Sequence, residues 1–180
     1  DIYIADYVPS SDFINTIPFK EYVVVRPENL QANYIRNQNT GSITPDLLKK
    51  LTSSGYNVLY LPRYQIDFEY AKGLVNVYIP ENPINGLDAS FYADAVLTGA
   101  GTFAREAACL GVPSFSFFAG NRLLAVDKAL IKEGKMTFSR DVDELIKELK
   151  RKSKRPVDLS RSKAVKEEVI SKLIEVIDKI

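Results

Sequence analysis

At 180 residues the chain is the size of one domain, and with 46% apolar and 26% charged residues it can bury a core without metal or disulfide staples. A net charge of +1 gives no electrostatic reason to expect nucleic acid as a partner, and no apolar run approaches the roughly 20 residues that cross a bilayer. The single Cys109 excludes an internal disulfide and makes a reducing cytoplasm the expected setting, while the lack of any histidine leaves acid–base chemistry to carboxylates, Lys, Tyr or the substrate.

Residues 1–20 are aromatic and broken by Pro9, Ser10, Ser11, Asp12 and Pro18, which predicts a linker or crossover segment. The start at Asp1, without methionine, is expected of a piece of a longer protein. A β-branched run over Tyr22–Val25 then reads as a buried strand closed by Arg26 and Pro27. Residues 37–42 are turn-like. Thr44 as N-cap and Pro45 at the first helical position open a helix with Leu47, Leu48 and Leu51 on one face, and Gly55 closes it.

The alternation continues with strands at Val58–Leu61, Leu74–Ile79, Ala95–Thr98, Ser114–Phe118 and Met136–Phe138. Between them lie helices near Asp67–Lys72, Gly86–Tyr92, Thr102–Leu110 and Arg122–Lys132, with Gly111 and Gly134 as helix stops. Asp141–Lys152 is helical, and Val165, Val169, Leu173 and Ile177 stripe a last helix. Such alternation builds right-handed βαβ units, so the expected fold is α/β: a doubly wound, Rossmann-like parallel sheet of about six strands in the order 3-2-1-4-5-6. The expected organisation is a crossover over 1–20, a Rossmann-like domain over 21–140, and C-terminal helices over 141–180 packing on it. The basic run Lys147, Lys150, Arg151, Lys152, Lys154 and Arg155 reads as a solvated helix end, with peripheral contact to an anionic membrane as the alternative.

Ligands of an open α/β sheet bind beyond the carboxyl ends of the strands, which draws attention to the loops after Val25, Ile79, Thr98 and Phe118. The loop Thr98, Gly99, Ala100, Gly101, Thr102 joins an apolar strand to a helix. Its glycines let backbone approach a ligand, and the helix start offers free N–H groups of partial positive charge, a phosphate cradle. Glu106, four residues after Thr102, shares that helix face and is placed to accept from two ribose hydroxyls. The alternative is a tight turn followed by a helix-start acid. The glycine spacing also matches a dinucleotide fingerprint, but it follows the fourth strand, and the next strand lacks the acid that holds a cofactor ribose.

The stretch Ala93–Pro113, ADAVLTGAGTFAREAACLGVP, resembles a signature of GT-B-fold proteins through Ala93, Asp94, Val96, Leu97, Thr98, Gly101, Glu106, Ala107, Gly111 and Pro113. That group includes the glycosyltransferase of peptidoglycan lipid assembly and the non-hydrolysing UDP-N-acetylglucosamine 2-epimerases. The likeness runs from about Val23 to Arg140 and is strongest to a largely archaeal family of glycosyltransferase-like proteins. It implies a GT-B C-terminal domain that binds a UDP-sugar or other nucleotide-sugar. By this likeness Arg26, Gly99, Ala100, Gly101 and Thr102 meet the diphosphate and Glu106 the ribose. Pro80, Pro83 and Ile84 fall near the base, and Asn121, Arg122, Asp127 and Lys128 near the sugar. Ala100 stands where the epimerases have serine. Arg26, Glu28 and Asn29 look like part of an H-R-R-E-N motif in which Val25 replaces the histidine and Pro27 the second arginine.

The resemblance covers only the C-terminal half of such proteins, so it implies a missing N-terminal domain that brings the acceptor and the general base. It calls for no metal and no cofactor. Glycosyl transfer is the expected reaction of the intact protein, with 2-epimerisation or binding without catalysis as the alternatives, and the fragment alone is expected to be inactive.

Overall fold

The computed structural model describes residues 4–33, 35 and 40–179, so positions 37–39 of the expected turn lie outside the described residues. Six strands form one parallel sheet: β1 (Val23–Arg26), β2 (Val58–Tyr60), β3 (Val77–Tyr78), β4 (Ala95–Thr98), β5 (Ser114–Ser116) and β6 (Met136–Phe138). Their order is β3-β2-β1-β4-β5-β6, the Rossmann-like arrangement the alternation predicts. In register, Val24 lies opposite Leu59 on one side and Val96 on the other.

Because side chains alternate across a strand, the apolar runs feed both faces. Val23, Val25, Val58, Tyr60 and Leu97 meet α1 (Thr44–Ser53) and α6 (Val142–Leu149) through Leu47, Leu48, Leu51 and Leu145. Val24, Leu59 and Val96 meet α3 (Gly86–Tyr92) and α4 (Gly101–Cys109) through Ala89, Phe103 and Ala107. The short α2 (Gln65–Tyr70) follows β2, and α5 (Ala125–Lys132) packs Leu130 against Ala104, Ala108 and Met136.

Several boundaries differ from the sequence reading for local reasons. The first helix does include Thr44, but its hydroxyl is not a cap; it donates to Glu28 at 2.7 Å, and Ile43 precedes the helix with no side-chain cap. The third strand shrinks to Val77–Tyr78 because Asn76 adopts a φ of 60°, a left-handed turn that Asn tolerates. α5 begins three residues later than Arg122, at Ala125, because Asp127 accepts the Leu124 N–H at 3.2 Å and sets the first turn there.

Residues 4–20 are not a loose tether. Phe13 and Ile17 are buried in the α3–α4 face, and Asp88 accepts from the Tyr7 hydroxyl at 2.6 Å and the Ser10 N–H at 3.0 Å. At the other end, α6 buries Leu145, Ile146 and Leu149, whereas α7 (Ser160–Ile177) buries only Ser162 among its described residues. Its stripe stays open, with Val169 39%, Leu173 58% and Ile177 66% exposed, where the sequence pattern leads one to expect it packed on the domain. No helix among the described residues is long and apolar enough to cross a membrane.

The basic run lies along the domain surface as a strap. Gly111 pairs its carbonyl with the Arg155 N–H at 2.9 Å, while Lys154 donates to the Phe91 carbonyl at 2.8 Å and Lys152 to the Thr137 hydroxyl at 2.6 Å. Lys152 and Lys154 of this run are thus engaged by the protein's own oxygens.

Candidate functional site

Three adjoining cavities run along the carboxyl edge of the sheet. The central one, about 360 Å³, lies between Arg26, Asn29, Arg63 and the start of α4. A second, about 650 Å³, shares Arg26, Phe103 and Glu106 with it and is walled by Leu61, Phe68, Pro80, Pro83 and Ile84. A third, about 470 Å³, shares Gly101 and Thr102 with the centre and extends past Arg105, Phe118, Asn121, Arg122 and Asp127. The helix start therefore sits at the middle of one groove, with a slot that carries Leu61, Phe68, Pro80, Pro83 and Ile84 on one flank, called apolar for these side chains, and one that carries Arg105, Asn121, Arg122 and Asp127 on the other, called polar for these.

The turn from β4 into α4 spends part of its donor set internally. The Gly99 N–H donates to the Arg26 carbonyl at 3.0 Å and the Ala100 N–H to the Thr98 hydroxyl at 2.9 Å. The first α4 bond is Ala104 N–H to the Ala100 carbonyl, which leaves the N–H groups of Gly101, Thr102 and Phe103 without acceptors among the described residues. These three, on a nine-residue helix, are the donors that face the central cavity. Gly99 is required by packing: a Cβ there would lie 2.5 Å from the Glu28 Cα. Gly101 is freer, since a Cβ would meet only the flexible Arg105 guanidinium end.

Two arginines border the same cavity. Arg26, at the end of β1, places its guanidinium 5.5 Å over the Phe103 ring, and its Nε is buried without a partner. Burial pulls its pKa down, as does the like charge of Arg63, while Glu106 acts in the opposite direction. Arg63 is not among the residues expected from the sequence, because it sits in the loop after β2 and the expectation rests on the loops after β1, β3, β4 and β5. A signal for it exists: an arginine two residues after Leu61 at a strand's carboxyl end.

Glu106 lines the central and apolar cavities at once, with no hydrogen bond or ion pair among the described residues. Burial raises its pKa above the usual carboxylate value, with Arg26 opposing. A half-buried carboxylate without a hydrogen-bond donor among the described residues is an acceptor open to a ligand's donors.

The other residues nominated from the sequence fall in different places. Pro80, Pro83 and Ile84 line the apolar slot, and Asn121 and Arg122 the polar one. Asp127 also borders the polar cavity, but one oxygen accepts from Arg105 Nε at 2.7 Å and the other from the Leu124 N–H. Lys128 is exposed and lines none of the three cavities. Glu28 is structural. Its buried carboxylate accepts from Ser42, Ile43 and Thr44 and lies 3.3 Å from Arg140, while Asn29 accepts from the Tyr64 hydroxyl at 2.6 Å beside the cavity. Among the described residues no group of three or more His, Cys, Asp or Glu side chains is gathered to hold a metal.

Comparison with known proteins gives three findings. A family model described as "Protein of unknown function (DUF354)" matches residues 12–179. The uncharacterized protein MJ0665 of Methanocaldococcus jannaschii is 32% identical over 105 residues, covering 58% of this chain and 30% of that protein. Among solved structures, UDP-GlcNAc 2-epimerase of M. jannaschii in complex with UDP-GlcNAc and UDP superimposes with a TM-score of 0.62 at 15% identity, over 96% of this chain and 51% of that one. The glycotransferase of kitacinnamycin gives 0.58 at 15% identity, over 91% and 44%. At such identity the likeness is one of fold, and the chain spans about half the length of these structures.

Proposed function

The chain belongs to the DUF354 family of proteins of unknown function, and on that premise we propose that it binds a nucleoside diphosphate sugar, UDP-linked, as the donor half of a glycosyltransferase-like protein. One observation carries this reading. A groove at the sheet's carboxyl edge combines three N–H groups at a helix start, two guanidinium groups and a carboxylate, none of which has a hydrogen-bond or ion-pair partner among the described residues apart from the Arg63 Nε contact to Pro27, beside an apolar slot. The donors and arginines suit a diphosphate, Glu106 a ribose diol, and the slot at Pro80–Ile84 a base. The polar flank at Asn121 and Arg122 then takes the sugar.

In transfer, charge develops on the leaving diphosphate. Arg26 and the α4 N-terminus stabilise it without a metal, since both are fixed in place before the reaction. The general base and acceptor belong to a second domain, so this chain alone binds without turnover. The structures superimposed on this chain include an epimerase, and that favours isomerisation as a second reading. Val25 in place of the motif histidine weighs against it. Conversion of UDP-N-acetylglucosamine by the full-length protein separates the two.

Melting curves in EDTA with uridine, adenine and guanine nucleotides test the binding claim. At about 100 times the dissociation constant a ligand adds roughly 2.7 kcal/mol, a visible shift. A shift with uridine diphosphates in EDTA is expected, with NAD binding no better than AMP. No shift with any nucleotide sinks the reading, and a shift that appears only with magnesium sinks the metal-free part.

A further inference from the structure

We propose that Arg63 is a second diphosphate ligand, which with Arg26 makes the site choose a diphosphate over a monophosphate; this rests on the nucleotide-site reading above. Arg63 lies in the loop after β2, and its position is tied down at several points. Its N–H donates to Asp67 Oδ2 at 2.8 Å and its Nε to the Pro27 carbonyl at 3.3 Å. The next residue, Tyr64, donates its N–H to the same carboxylate at 2.9 Å and its hydroxyl to Asn29 at 2.6 Å. The loop is thus locked both to the first turn of α2 and to the chain leaving β1. A guanidinium held through its Nε keeps its terminal N–H groups for another acceptor, and among the described residues they have none.

The neighbourhood turns this into an argument for a ligand. Arg63 and Arg26 border one cavity, and among the described residues the only carboxylate lining it is Glu106. The two cations oppose each other, since Arg63 lowers the pKa of Arg26. Two like charges at one concave wall, faced by that single carboxylate, leave cationic capacity for a further anion. One phosphate engages the helix start and one guanidinium. A second phosphate, across the bridging oxygen, gives the remaining guanidinium its partner, and an arginine fork suits two of its oxygens. The end of β1 and the loop after β2 then each contribute one cation to the diphosphate.

Titration calorimetry with UDP and UMP on the protein and on Arg63→Gln tests this, with melting temperatures recorded alongside. The expected result is a loss of UDP affinity of at least roughly tenfold with UMP changed by less than about threefold, because a charge-assisted contact has been removed from the second phosphate alone. An unchanged UDP-to-UMP ratio in a folded Arg63→Gln protein overturns the proposal. Displacement of UDP from the unaltered protein needs no variant: pyrophosphate is expected to compete at roughly tenfold lower concentration than phosphate, and equal potency overturns the proposal. If the unaltered protein binds no uridine nucleotide, the nucleotide reading itself fails and takes this inference with it. That pattern is distinct from intact binding with an unchanged ratio.

Discussion

At Glu106 the carboxylate ionises against burial, with Arg26 favouring the charge but not outweighing the desolvation. Its folded pKa therefore lies above the unfolded one. The folded state binds the proton more tightly, so stability falls as pH rises through the window just above the ordinary carboxylate value. Glu106→Gln is expected to raise the melting temperature at pH 7 and to leave it nearly unchanged at pH 4, where both states are protonated. The same substitution, or Glu106→Ala, is expected to weaken UDP binding at least roughly tenfold by removing charge-assisted bonds to the ribose. Wild type is expected to discriminate against 2′-deoxy-UDP and the variants barely to do so. A variant that binds UDP as tightly as wild type sinks the ribose role. Glu28 is the opposite kind of acid, with its charge spent inside the fold. Glu28→Ala leaves Arg140 without its buried partner and is expected to cost about 3–5 kcal/mol of stability, read by urea unfolding.

On the scale of elements, the β4–α4 turn separates packing from binding through its two glycines. At Gly99 a Cβ would press on backbone atoms of the chain leaving β1, which cannot swing aside. Gly99→Ala is expected to destabilise by about 1–3 kcal/mol or more, with nucleotide affinity lost only as the turn distorts. At Gly101 the obstacle is a mobile arginine end and the backbone is helical, so Gly101→Ala is expected to melt near wild type. Parallel melting curves decide between them; equal losses at both positions would contradict the assignment of Gly99 to packing. The turn is legible in sequence because glycines between an apolar strand and a helix have few other uses. What the glycines touch is not, since Glu28 lies 71 residues earlier (99 − 28) in the chain.

For the whole molecule, the two ends of the chain behave differently from their sequence patterns. The N-terminal segment reads as a linker because it has no period, yet Tyr7, Phe13 and Ile17 cover α3 and α4. The final helix reads as a packed element because its stripe is regular, yet that stripe faces solvent from Val169 onward. Among the described residues the exposed ion pair Lys166–Asp6 joins it to residues 4–20, and such pairs contribute about 0–1 kcal/mol. Removing residues 167–180 is therefore expected to lower the melting temperature by less than about 4 °C. A drop well beyond that would mean the helix packs on the domain in solution.

Local pattern is enough to specify the sheet and the central turn. Strand and helix periods are local, and six apolar runs separated by amphipathic stretches call for a parallel sheet covered on both faces, of which the 3-2-1-4-5-6 order is one doubly wound form. The strand order then brings the loops after β1 and β4 side by side, so Arg26 and Gly99–Glu106 can be nominated together. Which polar residues of that edge remain free is settled only once the chain is folded. Glu28 and Asp127 are carboxylates like Glu106, and Arg140 is a guanidinium like Arg63, but partners elsewhere in the chain consume the first two and Arg140. Glu106 and the Arg63 guanidinium end keep their capacity because no such partner among the described residues reaches them. Hydrogen-bond satisfaction is a property of neighbours in space, and no spacing along the chain encodes it.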